Sequence, residues 1–303
     1  MPDRIGFIGL GNLGSGIAGV LAEDGHEVHG LDPDPMRMKA AQARGIIAEA
    51  SPRDVAAASE IVFTCLPQSD IVAEVCLGAG GIVEGGRDGL LVIDCTSGFP
   101  AQTLKIAAAL AEKGIRMIDA PVTGGEGGGG SVAAPNRGIT MIVGGADADV
   151  KRAWPYLESL SKHLYHVGPL GHGHLVKAIN NMIAFASRMA TIEGLLVAAK
   201  HGIEPALVAK VLVNGTGMTA MAQRVEAAGS AATGGNRQGG FSIGLMTKDL
   251  RHMAQIARDT GVPGLMTDHA FHLAEIITAT VGYDTDIMNA TVALEDWAGV
   301  KLR

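Results

Sequence analysis

The 303-residue sequence predicts an α/β fold, an N-terminal doubly wound sheet followed by an all-α C-terminal domain. Three observations predict it. Short apolar runs alternate with helical stretches as far as residue 169, and beyond Gly171 only helical periodicity continues. The first turn, "GLGNLG" (9–14), spaces three glycines between a strand and a helix. The expected domains are 1–166 and 167–303.

Each element has its own warrant. "RIGFIG" (4–9) is a short apolar run ending in glycine, "LGSGIAGVLAEDG" (13–25) follows with helical spacing, and "HEVHGLD" (26–32) is a second strand. "EIVFTCLP" (60–67), "LLVIDCTS" (90–97), "IRMIDAPV" (115–122) and "ITMIVGG" (139–145) read as buried strands, and "LYHVGP" (164–169) as a last short one. Between the second and third of these buried strands, "PAQTLKIAAALAEKG" carries Pro100 for a first turn and Gly114 for a C-cap. Helical stretches then cover about 174–201, 204–214, 218–227, 245–260, 265–280 and 285–298, punctuated by "NGTG", "GVPG" and "VGYD". The first of them is long enough to cross from one domain to the other, which would set Lys177 at the junction.

Composition narrows the function classes. Hydrophobic residues make up 47% and charged residues 18%, as in a well-packed globular chain. A net charge of −7 without a polybasic block argues against nucleic acid or an anionic membrane as partner. Cys65, Cys76 and Cys95 show no CxxC spacing, which suits a reducing cytoplasm and gives neither a disulfide framework nor a zinc site. No signal peptide is read at the N-terminus, and Arg188 and Glu193 interrupt the apolar run "MIAFASRMATIEGLLVAA", so no membrane span is expected. The expected compartment is the cytoplasm.

The glycine turn points to a dinucleotide. Gly9 permits the tight turn, Gly11 lets a pyrophosphate approach the backbone, and Gly14 lets helix and strand pack closely. Asn12 and Leu13 open the helix, whose N-terminus offers free N–H groups to phosphate. Asp32 ends the second strand, where a carboxylate accepts hydrogen bonds from a ribose diol and repels a 2′-phosphate. NAD is therefore expected, with NADP as the alternative because Arg37 stands nearby. In such a Rossmann sheet ligands bind at the carboxyl ends of the strands, which places Leu66, Pro67, Thr96, Ser97 and Thr123 beside the cofactor.

Within "GHGHLVKAINN" (171–181), Lys177 and Asn181 stand four apart and share one helix face. Taken alone, such a pair is more often a solvated face than a site. Beside a nicotinamide, a lysine in a partly dry setting could carry the proton that accompanies hydride transfer, and the amide could hold a hydroxyl or carboxylate. Two further readings stay structural: Arg137 faces water rather than a substrate anion, and Cys65 is a small buried residue. His172, His174, His269 and His272 are not expected to bind metal, and Glu193 is expected to make a structural polar contact.

Four separated segments resemble the β-hydroxyacid dehydrogenase family, which includes 3-hydroxyisobutyrate dehydrogenase and tartronate semialdehyde reductase. "GFIGLGNLGSGIAGVLAEDGH" is similar to its cofactor motif, with Leu13 where methionine is usual. "DAPVTGGEGGGG" (119–130) is similar to its substrate segment, with Thr123 in place of a serine and a longer spacer after it. "GHGHLVKAINN" is similar to its catalytic motif, and "FSIGLMTKDL" (241–250) to the motif whose lysine, here Lys248, closes over the nicotinamide end. "DCTSGFP" (94–100) stands where the family contacts the nicotinamide ribose.

The resemblance implies an NAD(P)-dependent oxidoreductase that interconverts a small β-hydroxy acid and its semialdehyde. It makes Lys177 the general acid/base and Asn181, Thr123, Gly124 and Gly125 the substrate ligands, in a homodimer or homotetramer. The successive N–H groups of Gly124 and Gly125 could form an anion-binding nest. An imine reductase of the same fold and a non-catalytic cofactor-binding protein are the alternatives.

Overall fold

The structure is a computed structural model that describes residues 3–124, 134–228 and 240–302. It divides into two compact units, Met1–Lys177 and Ala178–Arg303.

The first unit is built on a sheet of β1 (Arg4–Ile8), β2 (Glu27–Leu31), β3 (Ile47–Ala48), β4 (Ile61–Thr64), β5 (Leu91–Asp94), β6 (Arg116–Asp119), β7 (Val122–Thr123), β8 (Thr140–Gly144) and β9 (His163–Gly168). Among the described residues the order runs β3-β2-β1-β4-β5-β6-β8-β7, with β9 on β8. The pairs from β3 to β6 are parallel, while β8 meets β6 and β7 antiparallel and β9 parallel. The order reverses between β1 and β4, the switch point at which doubly wound sheets bind ligands. The intervening helices are α1 (Asn12–Glu23), α2 (Pro35–Gln42), α3 (Pro52–Ala58), α4 (Ser69–Leu77), α5 (Ile82–Gly85), α6 (Pro100–Ala111) and α7 (Asp147–Leu160).

Burial explains the apolar strand runs. β4 and β5 are buried at every position, as strands covered on both faces must be. Phe7 of β1 stacks on Phe63 of β4 with ring centroids 5.8 Å apart and the planes nearly parallel. Each fully buried ring of this kind contributes about 2–3 kcal/mol through apolar area removed from water.

The structure departs from the sequence expectation at two strands. β3 was not expected: it is two residues long and exposed, with no alternation to read. The run 115–122 is two strands because it breaks around Pro121, which has no N–H to give a ladder.

Arg137 is 39% exposed, as a water-facing arginine should be, but it is not unattached. Its guanidinium forms a bidentate pair with Asp24, Nη1 lying 3.0 Å from Oδ2 and Nη2 2.5 Å from Oδ1, and donates to the Ser159 carbonyl at 2.6 Å. That bond to Arg137, more than any other cause, holds the Asp24 carboxyl below its ordinary range despite burial. A lowered folded-state pKa contributes stability above the unfolded value and loses it as pH falls through the folded one. Arg137→Ala should therefore cost about 1 kcal/mol at neutral pH, less in acid, as denaturant midpoints across pH would show.

The second unit is helical. It holds the rest of α8 (His172–Lys200), then α9 (Pro205–Val213), α10 (Ala220–Ala228), α11 (Ile243–Thr260), α12 (Leu265–Val281), a short 3-10 turn (Ile287–Asn289) and α13 (Ala290–Ala298). Its core gathers Phe185, Ile192 and Leu195 of α8 with Ile243 and Leu250 of α11 and Ile277 of α12. Ser242 caps α11 by accepting the Leu245 N–H at 3.2 Å, and Gly261 ends that helix with φ +70°. By length and composition alone α8 is apolar enough to cross a membrane, a test the core helix of a soluble protein also passes, and 39% of its most apolar window is buried. Glu193 on it is exposed rather than in a structural contact.

Candidate active site

The three motif glycines meet three different demands. A Cβ on Gly9, which has φ +96°, would lie 2.3 Å from the Cys65 carbonyl oxygen, and one on Gly14 would lie 1.9 Å from the Gly9 oxygen. Those two are fixed by the turn and by the packing of α1 on β1. At Gly11 a Cβ would meet only Arg37, at 3.8 Å. The space over Gly11 is thus free for a ligand to approach the backbone at the start of α1, which no side chain caps. Asn12 and Leu13 begin that helix.

Asp32 is held at the end of β2. Its Oδ2 accepts the Leu10 N–H at 2.7 Å and its Oδ1 accepts the Asp34 N–H at 2.9 Å. Arg37 lies 3.8 Å from this carboxylate and 3.5 Å from that of Asp34. This is the donor and acceptor set a dinucleotide requires, and the residues present fit the cofactor.

The loops after β4 and β5 are braced on each other. Thr64 Oγ1 and the Thr96 N–H donate to one oxygen of Asp94 at 2.8 and 3.0 Å, and Thr96 Oγ1 accepts the Leu66 N–H at 3.0 Å. Thr96 is buried and holds Leu66 in place, Ser97 is half-buried and Pro67 exposed. Burial pushes the Cys65 thiol up to about 12, with Asp94 adding to it, so this sulfur stays protonated and unreactive.

The first residue of "DAPV" organises the catalytic helix. Asp119 Oδ1 accepts the Gly171 N–H at 2.7 Å and its Oδ2 the His174 N–H at 2.6 Å, which anchors the start of α8 to the end of β6. Gly173 is required here, since a Cβ would lie 2.5 Å from the Ile142 oxygen and 2.7 Å from Asp119 Oδ2. His174 is fully buried; its Nδ1 lies 2.8 Å from Thr103 Oγ1 and its Nε2 3.8 Å from Asp94. Lys177 follows one turn later and is 9% exposed.

Thr123 pairs with Thr140 across β7 and β8 and is half-buried, and Gly124 is exposed. Gly125, the other half of the expected anion nest, lies outside the described residues. His172, His269 and His272 are exposed, and among the described residues no group of three His, Cys, Asp or Glu could hold a metal ion.

In the second unit, Asn181 Nδ2 donates to Asp249 Oδ2 at 2.6 Å, and Asn180 donates to the Asn181 amide oxygen at 3.1 Å. Lys248 Nζ lies 3.0 Å from Asp249 Oδ1. All three of Asn181, Lys248 and Asp249 are buried. Asp249 is a positioning residue that sequence reasoning left without a role: it fixes which way the Asn181 amide points. The signal was available, since a carboxylate directly after a motif lysine on a buried stripe needs a partner.

A glycine-cradled helix start, a fixed acidic residue at the end of β2 and a buried lysine one turn before an amide define an NAD(P)-dependent oxidoreductase. Known proteins agree. Residues 4–168 match the NAD binding domain of 6-phosphogluconate dehydrogenase, and 171–294 match the NAD-binding domain of NADP-dependent 3-hydroxyisobutyrate dehydrogenase. The chain belongs to the β-hydroxyacid dehydrogenase family. It is 34% identical to the 2-(hydroxymethyl)glutarate dehydrogenase of Eubacterium barkeri, over 99% of this chain and 97% of that one. It is 32% identical to the 3-hydroxyisobutyrate dehydrogenase of Pseudomonas aeruginosa, over 81% and 82%. The structure of 3-hydroxyisobutyrate dehydrogenase from Mycobacterium tuberculosis superposes with a TM-score of 0.85 at 28% identity, covering 97% of this chain and 99% of that one. Imine reductases share the fold at lower similarity. The chain is a hydroxyacid dehydrogenase acting with NAD(P).

Proposed function

We propose that the protein oxidises a small 3-hydroxy acid to its semialdehyde, or runs the reverse, with Lys177 as general acid/base. The observation that carries this is the anchored helix: a buried lysine, held in place through Asp119, one turn before an amide oriented by Asp249. The nicotinamide, when bound, supplies or accepts the hydride. Lys177 moves the proton at the substrate hydroxyl, and Asn181 with Thr123, Gly124 and Gly125 holds hydroxyl and carboxylate. Gly9, Gly11, Asn12, Leu13, Gly14 and Asp32 hold the adenosine and pyrophosphate end, and Leu66, Pro67, Thr96, Ser97 and Lys248 border the nicotinamide end.

NAD is the preferred cofactor, because Asp32 would accept from a ribose diol and repel a 2′-phosphate; Arg37, 3.8 Å from Asp32 and 53% exposed, is the residue that would favour NADP. Its cysteine usage suits the cytoplasm, and its resemblance implies a homodimer or homotetramer. Retention of the lysine favours hydroxy acids over imines, and a cofactor-binding protein without turnover has no use for it. A reduction screen over 3-hydroxy acids and cyclic imines, run with NAD and NADP, tests this. Turnover of hydroxy acids with NAD is expected; imine reduction without hydroxy-acid oxidation would overturn the reading.

A further inference from the structure

The loop after β5 and the helix that carries Lys177 are joined by one buried side chain. His174 stands in the first turn of α8, one turn before Lys177, and is fully buried. Its backbone N–H is held by Asp119 at the end of β6. Its ring meets the loop 95–99. A Cβ on Gly98 would lie 2.6 Å from the ring Cε1 and 2.7 Å from Nδ1, so only a residue without a side chain lets the loop rest there. Nδ1 lies 2.8 Å from Thr103 Oγ1, and that hydroxyl is 3.2 Å from the Phe99 carbonyl at the end of the same loop. A hydroxyl has one proton to give. Given to Phe99, it leaves Thr103 to accept, which makes Nδ1 a donor. Nε2 has no hydrogen-bond partner among the described residues and lies 3.8 Å from the Asp94 oxygen opposite the one that takes Thr64 and Thr96. On its other side the loop is tied to the segment after β4, the Phe99 N–H donating to the buried Ser69 Oγ at 2.8 Å.

We infer that His174 is a positioning residue: it seats the loop 95–99 on the start of α8 and thereby fixes how far the nicotinamide stands from the Lys177 amine. The inference rests on the dehydrogenase reading above and adds a residue to that site. Hydride and proton leave the same carbinol group, so their two acceptors serve only at a separation that suits both. The loop 95–99 borders the first acceptor and α8 carries the second. His174 is tied to both, through its ring to Thr103, Phe99 and Gly98 and through its main chain to Asp119. Packing alone does not account for an imidazole here. A leucine would fill the space, whereas the ring gives up water at two nitrogens and recovers one hydrogen bond. What the ring adds is direction. With Nδ1 on Thr103 and its edge against Gly98 it holds one orientation, and the loop is held with it.

The test compares the wild type with His174→Leu, which removes both ring nitrogens at similar bulk, and with His174→Asn, which returns an amide N–H near the place of Nδ1. Gly98→Ala displaces the ring from the loop's side and leaves His174 present, so it carries the comparison if the leucine variant does not fold. For each protein Tm, kcat, the Kd for NADH and the fluorescence of the bound nicotinamide at saturating cofactor are measured. His174→Leu and Gly98→Ala should lose about 10- to 100-fold in kcat while the Kd for NADH stays within a few-fold, because the adenosine end is held elsewhere. Both should change the emission of the bound nicotinamide, and His174→Asn should recover most of each loss. Wild-type kcat and emission in variants whose Tm has dropped would overturn the inference, since a histidine that only packs would behave so. An asparagine variant no better than the leucine one would overturn it as well. A wild type that oxidises no hydroxy acid, yet whose nicotinamide emission responds to these substitutions, would keep the positioning role and sink the dehydrogenase reading instead.

Discussion

Lys177→Ala should lower kcat by about 10²- to 10⁴-fold while the Kd for NADH stays within a few-fold of the wild type. The separation follows from where the lysine sits. The residues that cradle the dinucleotide, from Gly9 to Asp32, belong to the first βαβ turn and hold one another through the Leu10–Asp32 and Asp34–Asp32 bonds. Lys177 takes no part in those bonds; it is carried on a separate helix anchored by Asp119. Removing its amine takes away a group needed while the hydroxyl proton moves, so the loss falls on kcat. Lys177→Arg should not rescue turnover, because a guanidinium keeps its proton at any pH the enzyme meets. Single-turnover rates with fluorescence titration of NADH measure both quantities. Turnover near the wild-type level in Lys177→Ala would remove the amine from the chemistry.

The parts of this molecule legible in the sequence are those written by local repetition. Apolar runs bounded by turn glycines located the central strands within a few residues, and 3.6-residue periodicity located the helices of the second unit. The GxGxxG turn carried its geometry openly, because Gly9 and Gly14 tolerate no Cβ. What stayed hidden depends on partners distant in sequence. Asp119 was visible as the head of "DAPV", yet its work is done on Gly171 and His174, more than fifty residues away. Arg137 read as an unattached loop arginine because Asp24 is 113 residues distant. Asp249 looked like the neighbour of a motif lysine, and only the fold shows it holding Asn181. Arg188 read as a charge interrupting an apolar run, whereas the fold seats it on the Met288 sulfur, 100 residues on.

Asp119→Ala should destabilise the protein by about 3–5 kcal/mol, since it strips acceptors from two N–H groups in a buried place. Each N–H loses a charge-assisted bond, and a water in the space the carboxyl vacates would replace those bonds only in part. Asp119→Asn keeps one acceptor oxygen and should lie between the two, with a kcat loss because Lys177 is displaced along with its helix. The pH dependence separates this anchor from a simple packing residue. Burial, more than any other cause, raises the Asp119 carboxyl above its ordinary 3.8, with His174 and the two N–H groups pulling it down. Between the unfolded and the raised folded pKa the native state holds a proton that the unfolded chain has released. Stability contributed by Asp119 is therefore full below the unfolded value and declines as pH rises through the folded one. The advantage of wild type over Asp119→Asn should narrow across that window as pH increases. Denaturant midpoints for both proteins on a shared pH series measure the difference; an advantage that grows with pH would mean the carboxylate is stabilised by its partners more than it is penalised by burial.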